Sequence, residues 1–195
     1  MRKRDMLGMA IGDGTLRSRH GKGSELTVGH SIKQVDYLMY KYQYCCDLYP
    51  NKDFTPSIVD MNPYVGVRFS VSDSKLFRIW HKWLYKNNTK TLTKKVLDKL
   101  TPEAIAFWYC DDGSMYYKKR NGKIHAVECV ISTCCTKNEA EIVRDYFGAK
   151  WGVEMTIKKD SGHYSVRFGT KAARVFVSHF AQYVPDCMAY KVNKV

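Results

Sequence analysis

"MLGMAIGDGTL", Met6–Leu16, is an apolar run broken by three glycines and stopped by one acid, Asp13. Glycine costs a helix interior about 1 kcal/mol relative to alanine, so Gly8 and Gly12 need a reason. They stand four residues apart and therefore share one helical face. A later run ends the same way: "YCDDGSM", Tyr109–Met115, places Asp112 before Gly113, and Asp13 and Asp112 are 99 residues apart. The interval returns in "YVGVRFSVSDSKLF" (Tyr64–Phe77) and "HYSVRFGTKAARVF" (His163–Phe176). Their shared Val-Arg-Phe begins at Val67 and Val166, and Phe77 and Phe176 keep the same 99-residue spacing. Three anchors at one interval imply a duplicated unit, with halves at about 1–99 and 100–195.

Each half reads as αββαββα. The first helix runs up to its acid. Two strands follow, "TLRSRH" and "SELTVGHS" in the first half, "SMYYKKR" and "IHAVECVIS" in the second, the latter pair joined through Asn121-Gly122, a strong hairpin signal. Helices are expected at about Lys33–Leu48 and Lys137–Lys150, hairpins at 54–72 and 153–169, and closing helices at about Ser74–Asn87 and Lys171–Tyr183. Helical spacing puts Val35, Leu38, Met39 and Tyr42 on one apolar face. Alternation points Val65, Val67, Phe69 and Val71 into the core. The fold class is α+β.

Small residues let helix backbones approach closely. Gly8 and Gly12 on the first helix, with Ala106 and Cys110 as a small pair on the second, predict that the two helices pack about a pseudo-twofold axis. Gly14 and Gly113 then turn the chain into the strands. Such packing brings Asp13 and Asp112 together. Like charges at short range raise a pKa or demand a cation, and magnesium suits one or two carboxylates with phosphate oxygens. Two such ions can activate water and stabilise a leaving oxygen.

The chain carries 32 Lys and Arg against 19 Asp and Glu, a net charge of +13. That excess points to a polyanionic partner, nucleic acid above all. The basic residues are spread along the chain, which favours a folded basic surface over a disordered tail. The non-core strand faces and their turns carry Arg17, Arg19, Lys22, Glu25, Thr27, Arg68, Ser70, Lys118, Arg120, His125, Glu128, Lys158 and Arg167, side chains suited to reading base edges and phosphates in a major groove. Seven cysteines, an odd number without Cys-x-x-Cys, read as reduced thiols in an intracellular protein and argue against a zinc site. Organelle, phage-infected cell and prokaryotic cytoplasm are equally compatible compartments. No apolar run is long enough to cross a membrane, and the basic-then-apolar start is too short and glycine-broken for a signal peptide.

"MLGMAIGDGTL" and "AIAFWYCDDGSM" resemble the two motifs of the LAGLIDADG homing endonucleases in their single-chain, group I intron-encoded form. "LTPEAIAFWYCDDGSM" (Leu100–Met115), "YVPDCMAYKV" (Tyr183–Val192) and "IGDGTLRSRHGKG" are similar to further blocks of that subgroup. The resemblance implies a monomeric pseudo-dimer whose two saddle-shaped antiparallel sheets lie along DNA, with helices on the face away from it. It implies site-specific cutting of both strands across the minor groove of a long target, leaving 3′ overhangs and promoting intron mobility. Asp13 and Asp112 would bind two or three Mg²⁺ ions, replaceable by Mn²⁺ or Ca²⁺, aided by the backbone carbonyls of Gly12 and Asp111. Asp111's own side chain would point away from Asp112. Lys90 and Lys191 match the family's basic residues near each centre, and they follow their acids by similar intervals, 77 and 79 residues. The alternative is an intron RNA maturase, an RNA-binding splicing cofactor with or without cleavage.

Overall fold

Helix packing at Gly8 organises the whole chain. A computed structural model describes residues 1–19, 23–61, 63–160 and 162–193. The first unit runs α1 (Met6–Ile11), β1 (Thr15–Arg19), β2 (Gly23–Ser31), α2 (Val35–Leu48), β3 (Ser57–Met61), β4 (Tyr64–Ser72) and α3 (Ser74–Leu84). A small hairpin, β5 (Tyr85–Lys86) and β6 (Thr89–Lys90), and a short α4 (Lys94–Leu97) lead to the second unit. It runs α5 (Pro102–Asp112), β7 (Gly113–Arg120), β8 (Lys123–Cys135), α6 (Lys137–Trp151), β9 (Met155–Asp160), β10 (His163–Phe168) and α7 (Thr170–Ser178). Single 3₁₀ segments at Ala181–Tyr183 and Asp186–Lys191 follow.

The sheets repeat one another. Strand order is β1-β2-β4-β3 in one and β7-β8-β10-β9 in the other, with every pair antiparallel. Leu26, Val28, Phe69 and Val71 are buried on the inner face of the first sheet, which α2 and α3 cover, and Phe69 meets Tyr42 of α2 edge-on. Ile131, Val166 and Phe168 are buried likewise in the second, against Phe147 and Phe176. The helices start where the sequence supplies caps. Thr101 Oγ1 accepts from Ala104 N at 3.0 Å with Pro102 in the first turn, and Thr136 with Glu139 forms a capping box on α6.

Between the units, α1 lies against α5. A Cβ on Gly8 would overlap the backbone carbonyl of Ala104, and one on Gly12 would overlap the Asp111 side chain. The glycines are therefore contact residues, as the sequence predicts. Their partners differ: Ala106 and Cys110 are buried, but the backbone that Gly8 meets is that of Ala104. Gly14 and Gly113 are equally constrained, because a Cβ on either would strike a carbonyl of its own helix, Met9 or Tyr109.

Four local expectations are corrected. The buried stripe of α2 is Tyr37, Leu38, Lys41, Tyr44 and Cys45, while Met39 is 42% exposed. Val35 and Tyr42 are only partly buried. The stripe is rotated because it includes a lysine whose partner comes from α5. Next, α3 ends at Leu84 rather than Asn87, since Asn87 (φ 49°) and Asn88 (φ 59°) adopt the left-handed turn that joins β5 to β6. The last helix likewise stops at Ser178, with a 3₁₀ turn reaching Tyr183. Val65 is 44% exposed at the outer end of β4, beyond the cover of the helices.

Gly8→Ala is expected to destabilise the protein by about 3 kcal/mol or more, because rigid backbone must move to admit the methyl group. Gly169→Ala, where a Cβ meets nothing within 4 Å, should cost no more than about 1 kcal/mol. Urea denaturation of both variants checks the difference.

Candidate metal centre and nucleic-acid interface

The C-terminal ends of α1 and α5 converge. Asp13 follows the Gly12 cap of α1, and Asp112 is the last residue of α5. Each helix end is bound by one lysine. Lys90 Nζ donates to the carbonyls of Ile11 (3.1 Å), Gly12 (2.8 Å) and Gly14 (2.8 Å). Lys191 Nζ donates to those of Cys110 (2.6 Å) and Gly113 (2.8 Å). Ile11 and Cys110, like Gly14 and Gly113, are 99 residues apart, so the lysines grip equivalent carbonyls in the two halves. A cation suits the negative end of a helix dipole. Burial pulls both lysine pKa values down, and Asp13, Asp111 and Asp112 push them back up. The Gly12 carbonyl, expected as a metal ligand, is engaged by Lys90 here.

Asp111 plays a larger part than its backbone. Its side chain is fully buried, with Oδ1 at 2.5 Å from Lys41 Nζ and Oδ2 accepting from the Asp13 backbone N–H at 3.0 Å. Lys41 is itself fully buried and lies over the Tyr37 ring, 4.4 Å from its centroid. Lys41 Nζ also lies 3.0 Å from His30 Nε2. An ammonium only donates, so Nε2 accepts and the imidazole proton sits on Nδ1. That nitrogen faces Asp13 Oδ2 at 3.3 Å. Lys41 and His30 are the residues that sequence reasoning missed. The only trace of them is a lysine interrupting "YLMYKYQYCC", which a periodicity reading places outside.

The site is electrostatically tense. Burial, then the charges of Asp111 and Asp13, push Asp112 up to about 7, against the hydrogen bond from Trp108 Nε1 to Asp112 Oδ2 at 3.0 Å. Asp13 is raised by burial and by Asp111. Burial and the neighbouring Lys41 pull His30 down to about 4, so it is neutral at pH 7. Carboxylates that resist ionisation together fit a divalent cation, which would relieve the repulsion. Ligand atoms of Asp13, His30 and Asp111 lie within 4.8 Å of one another. Asp13 is the exposed member, at 45% of its side chain, whereas Asp111 is already committed to Lys41.

The outer sheet faces flank this centre. In the first, Arg17 stands opposite Glu25, and Thr27 Oγ1 lies 2.8 Å from Ser70 Oγ. A groove of about 400 Å³, lined by Thr15, Thr27, Gly29 and Arg68, runs to Asp13 and His30. The second sheet has a groove of about 410 Å³ lined by Tyr116, Lys158, Ser165 and Arg167. There Glu128 is bound by both Lys118 and Arg167, so these three act as one unit rather than as separate readers. Arg120 is exposed beside the hairpin turn. His125 is the extra residue of a bulge, with Nδ1 2.8 Å from the Lys118 carbonyl. Lys22 lies outside the described residues, as does the side chain of Arg19. Among the described residues, no helix is long and apolar enough to cross a membrane.

Two repeated αββαββα units, joined through paired helices with acids at their feet, define a pseudo-symmetric protein with one shared acidic centre. The chain belongs to the LAGLIDADG DNA endonuclease family, whose pattern matches residues 4–176. It is 26% identical over 200 residues to a protein RecA of Mycolicibacterium flavescens, covering 96% of this chain and 45% of that one. It is 24% identical over 197 residues to the cytochrome b mRNA maturase bI2 of Debaryomyces hansenii, covering 96% and 72%. The chain thus spans less than half of its RecA relative. In structure it is similar to the homing endonuclease I-WcaI bound to its DNA recognition sequence, at TM-score 0.79, 18% identity and coverage of 97% and 84%. It is also similar to I-DmoI in complex with DNA and Mn, at TM-score 0.53, 19% identity and coverage of 91% and 94%. These likenesses confirm the α+β fold with antiparallel sheets.

The shifted groups set the pH response of the cation-free protein. Between about 4 and 6.5 the unfolded state binds the His30 proton and the folded state does not, so this residue makes stability rise with pH. Between 3.8 and about 7 the folded state holds the Asp112 proton and the unfolded state does not, so this residue makes stability fall. Asp112→Asn removes the falling contribution. The variant's Tm should therefore climb with pH between 4 and 6.5 more steeply than that of the natural protein. Parallel Tm profiles in the two proteins would contradict the assignment.

Proposed function

We propose that this protein is a site-specific DNA endonuclease that makes a divalent-metal-dependent double-strand break in a long target, leaving 3′ overhangs and promoting intron mobility. The carrying observation is the centre itself: two motif acids from the two halves, each beside a half-buried lysine, at the foot of paired helices. A net charge of +13 supports a polyanionic substrate. The outer sheet faces offer Arg17, Arg68, Arg120, Lys158 and the Lys118–Glu128–Arg167 cluster to a duplex, and a monomer would present both faces at once. Intracellular DNA is the proposed setting.

Asp13 and Asp112 would hold the ions, with Mg²⁺ the natural occupant and Mn²⁺ or Ca²⁺ able to replace it. The bound metal would supply Lewis acidity to the scissile phosphate and lower the pKa of an attacking water. Lys90 and Lys191 already donate to helix-end carbonyls, so their ammonium groups are held close to where charge develops on each phosphate. Asp111 and Lys41 keep the acid of one half fixed against the other half, and so set the spacing of the two centres.

Asp13→Asn and Asp112→Asn should each lower cleavage by at least about 100-fold, as loss of a transition-state contact does. Linear duplex chosen by the natural protein from a randomised library is the substrate. Gels that resolve nicked from linear plasmid read whether one acid serves one strand. Full cleavage by either variant would remove the acids from the mechanism. DNA affinity should fall by about 1,000-fold or more between roughly 50 and 200 mM salt, because phosphate contacts release counterions. A flat response would contradict a duplex lying on the sheets.

The match to a cytochrome b mRNA maturase supports a second reading, an intron RNA-binding cofactor. A basic surface also binds A-form RNA. Tight intron-RNA binding with no cutting of any selected duplex would favour that reading over the endonuclease.

A further inference from the structure

Each motif acid has one oxygen beside a ring nitrogen. Asp13 Oδ2 faces His30 Nδ1 at 3.3 Å, and Asp112 Oδ2 accepts from Trp108 Nε1 at 3.0 Å. The two donors do not correspond in the duplication. His30 stands opposite Val67 in the first sheet, and the equivalent place opposite Val166 is filled by Ile131. Trp108 precedes its acid on α5, and the residue 99 positions earlier is Met9. Neither of these side chains carries an N–H. Each half therefore lacks the donor the other uses and supplies its own from a different element.

The shared outcome points to a shared need. The terminal torsion of an aspartate is broad and roughly two-fold, so an unrestrained carboxylate presents either oxygen over a wide arc. A donor on one oxygen settles which oxygen remains and where it points. Outer partners of ligating carboxylates tune metal affinity in this way. His30 is well suited to the task because its tautomer is enforced. Lys41 Nζ, held by Asp111 at 2.5 Å, occupies Nε2 and leaves the proton on Nδ1. The same arrangement disfavours His30 as a metal ligand, since its free lone pair points at Lys41 and not at Asp13.

We propose that His30 and Trp108 are positioning residues, each orienting one motif carboxylate through an N–H so that its Oδ1 is presented to a divalent cation, and that the two half-sites depend on them separately. The strand-specific part of this inference rests on the endonuclease reading; the metal-affinity part does not.

The test uses the full chain with His30→Leu, His30→Gln and Trp108→Phe. Mn²⁺ alone is titrated by electron paramagnetic resonance without DNA, and cleavage is followed on a selected duplex with each strand end-labelled. His30→Leu and Trp108→Phe should each weaken Mn²⁺ binding by about 10-fold or more. His30→Gln, which keeps an N–H donor, should restore most of the affinity. On DNA, His30→Leu should slow one strand and Trp108→Phe the other, so that opposite nicks accumulate. Unchanged Mn²⁺ binding in both ring variants would overturn the proposal. Equal slowing of both strands by both variants, with no rescue by glutamine, would overturn it too. Co²⁺ absorption is a third readout: a nitrogen-ligand signature lost in His30→Leu would make His30 a ligand and refute its positioning role. If the natural protein cuts no duplex, the endonuclease reading fails, while the Mn²⁺ titration still decides the role of the two rings.

Discussion

The close approach of α1 to α5 is the constraint on which everything else depends. Gly8 meets the backbone of Ala104 with no room for a methyl group, and Gly12 meets the Asp111 side chain. That distance determines how near the helix ends can be, and so how near Asp13 and Asp112 stand. It also brings Asp111 from one half within 2.5 Å of Lys41 from the other. The interface and the chemical centre are a single construction. Propensity is sacrificed at the glycines, and the reward is a contact that a larger side chain would pry open.

Around that contact the charges are arranged to compensate one another. Three carboxylates and three lysines lie within one another's field: Lys41 and the Asp111 side chain are fully buried, Asp13 is exposed, and Asp112, Lys90 and Lys191 are half-buried. A buried ion pair is weak evidence for stability, because desolvation takes back much of the attraction. Its value here is geometric. Lys41 ties Asp111, Asp111 ties the Asp13 backbone, and Lys90 and Lys191 close the last turns of the two helices. The acids that stay under-compensated are Asp13 and Asp112, the two that the duplication repeats. Such tension at a pair of carboxylates is a reason to expect a cation between the halves.

Strict symmetry stops at the acids and their lysines. Equivalent carbonyls are gripped by Lys90 and Lys191, yet the carboxylates stand beside a histidine on one side and a tryptophan on the other. The outer sheet faces diverge further. One carries Arg17 opposite Glu25, and the other locks Glu128 between Lys118 and Arg167. The divergence suits the proposed asymmetric duplex, which has no use for identical faces, whereas a shared interface between two helices has little freedom to vary.

Much of this was legible in the chain. The 99-residue repeat, the glycine-bearing helices, the alternating strands and the two acids are local or periodic features, and local sterics and hydrophobic periodicity write them directly into sequence. Lys90 and Lys191 were found through their parallel spacing from the acids and their resemblance to family positions. What sequence could not supply was any pairing between distant groups that lacks a period. The buried stripe of α2 was misplaced because a lysine reads as exposed until Asp111, 70 residues away, is known to meet it. The side-chain role of Asp111, the tautomer of His30 and the Asn87-Asn88 turn that carries Lys90 to the helix end belong to the same class. Sequence alone determined the repeat, the elements and the candidate acids, because those follow from spacing along the chain. Only the tertiary structure decided which charges are buried together, because the energy of a buried charge depends on the partner that folding brings to it.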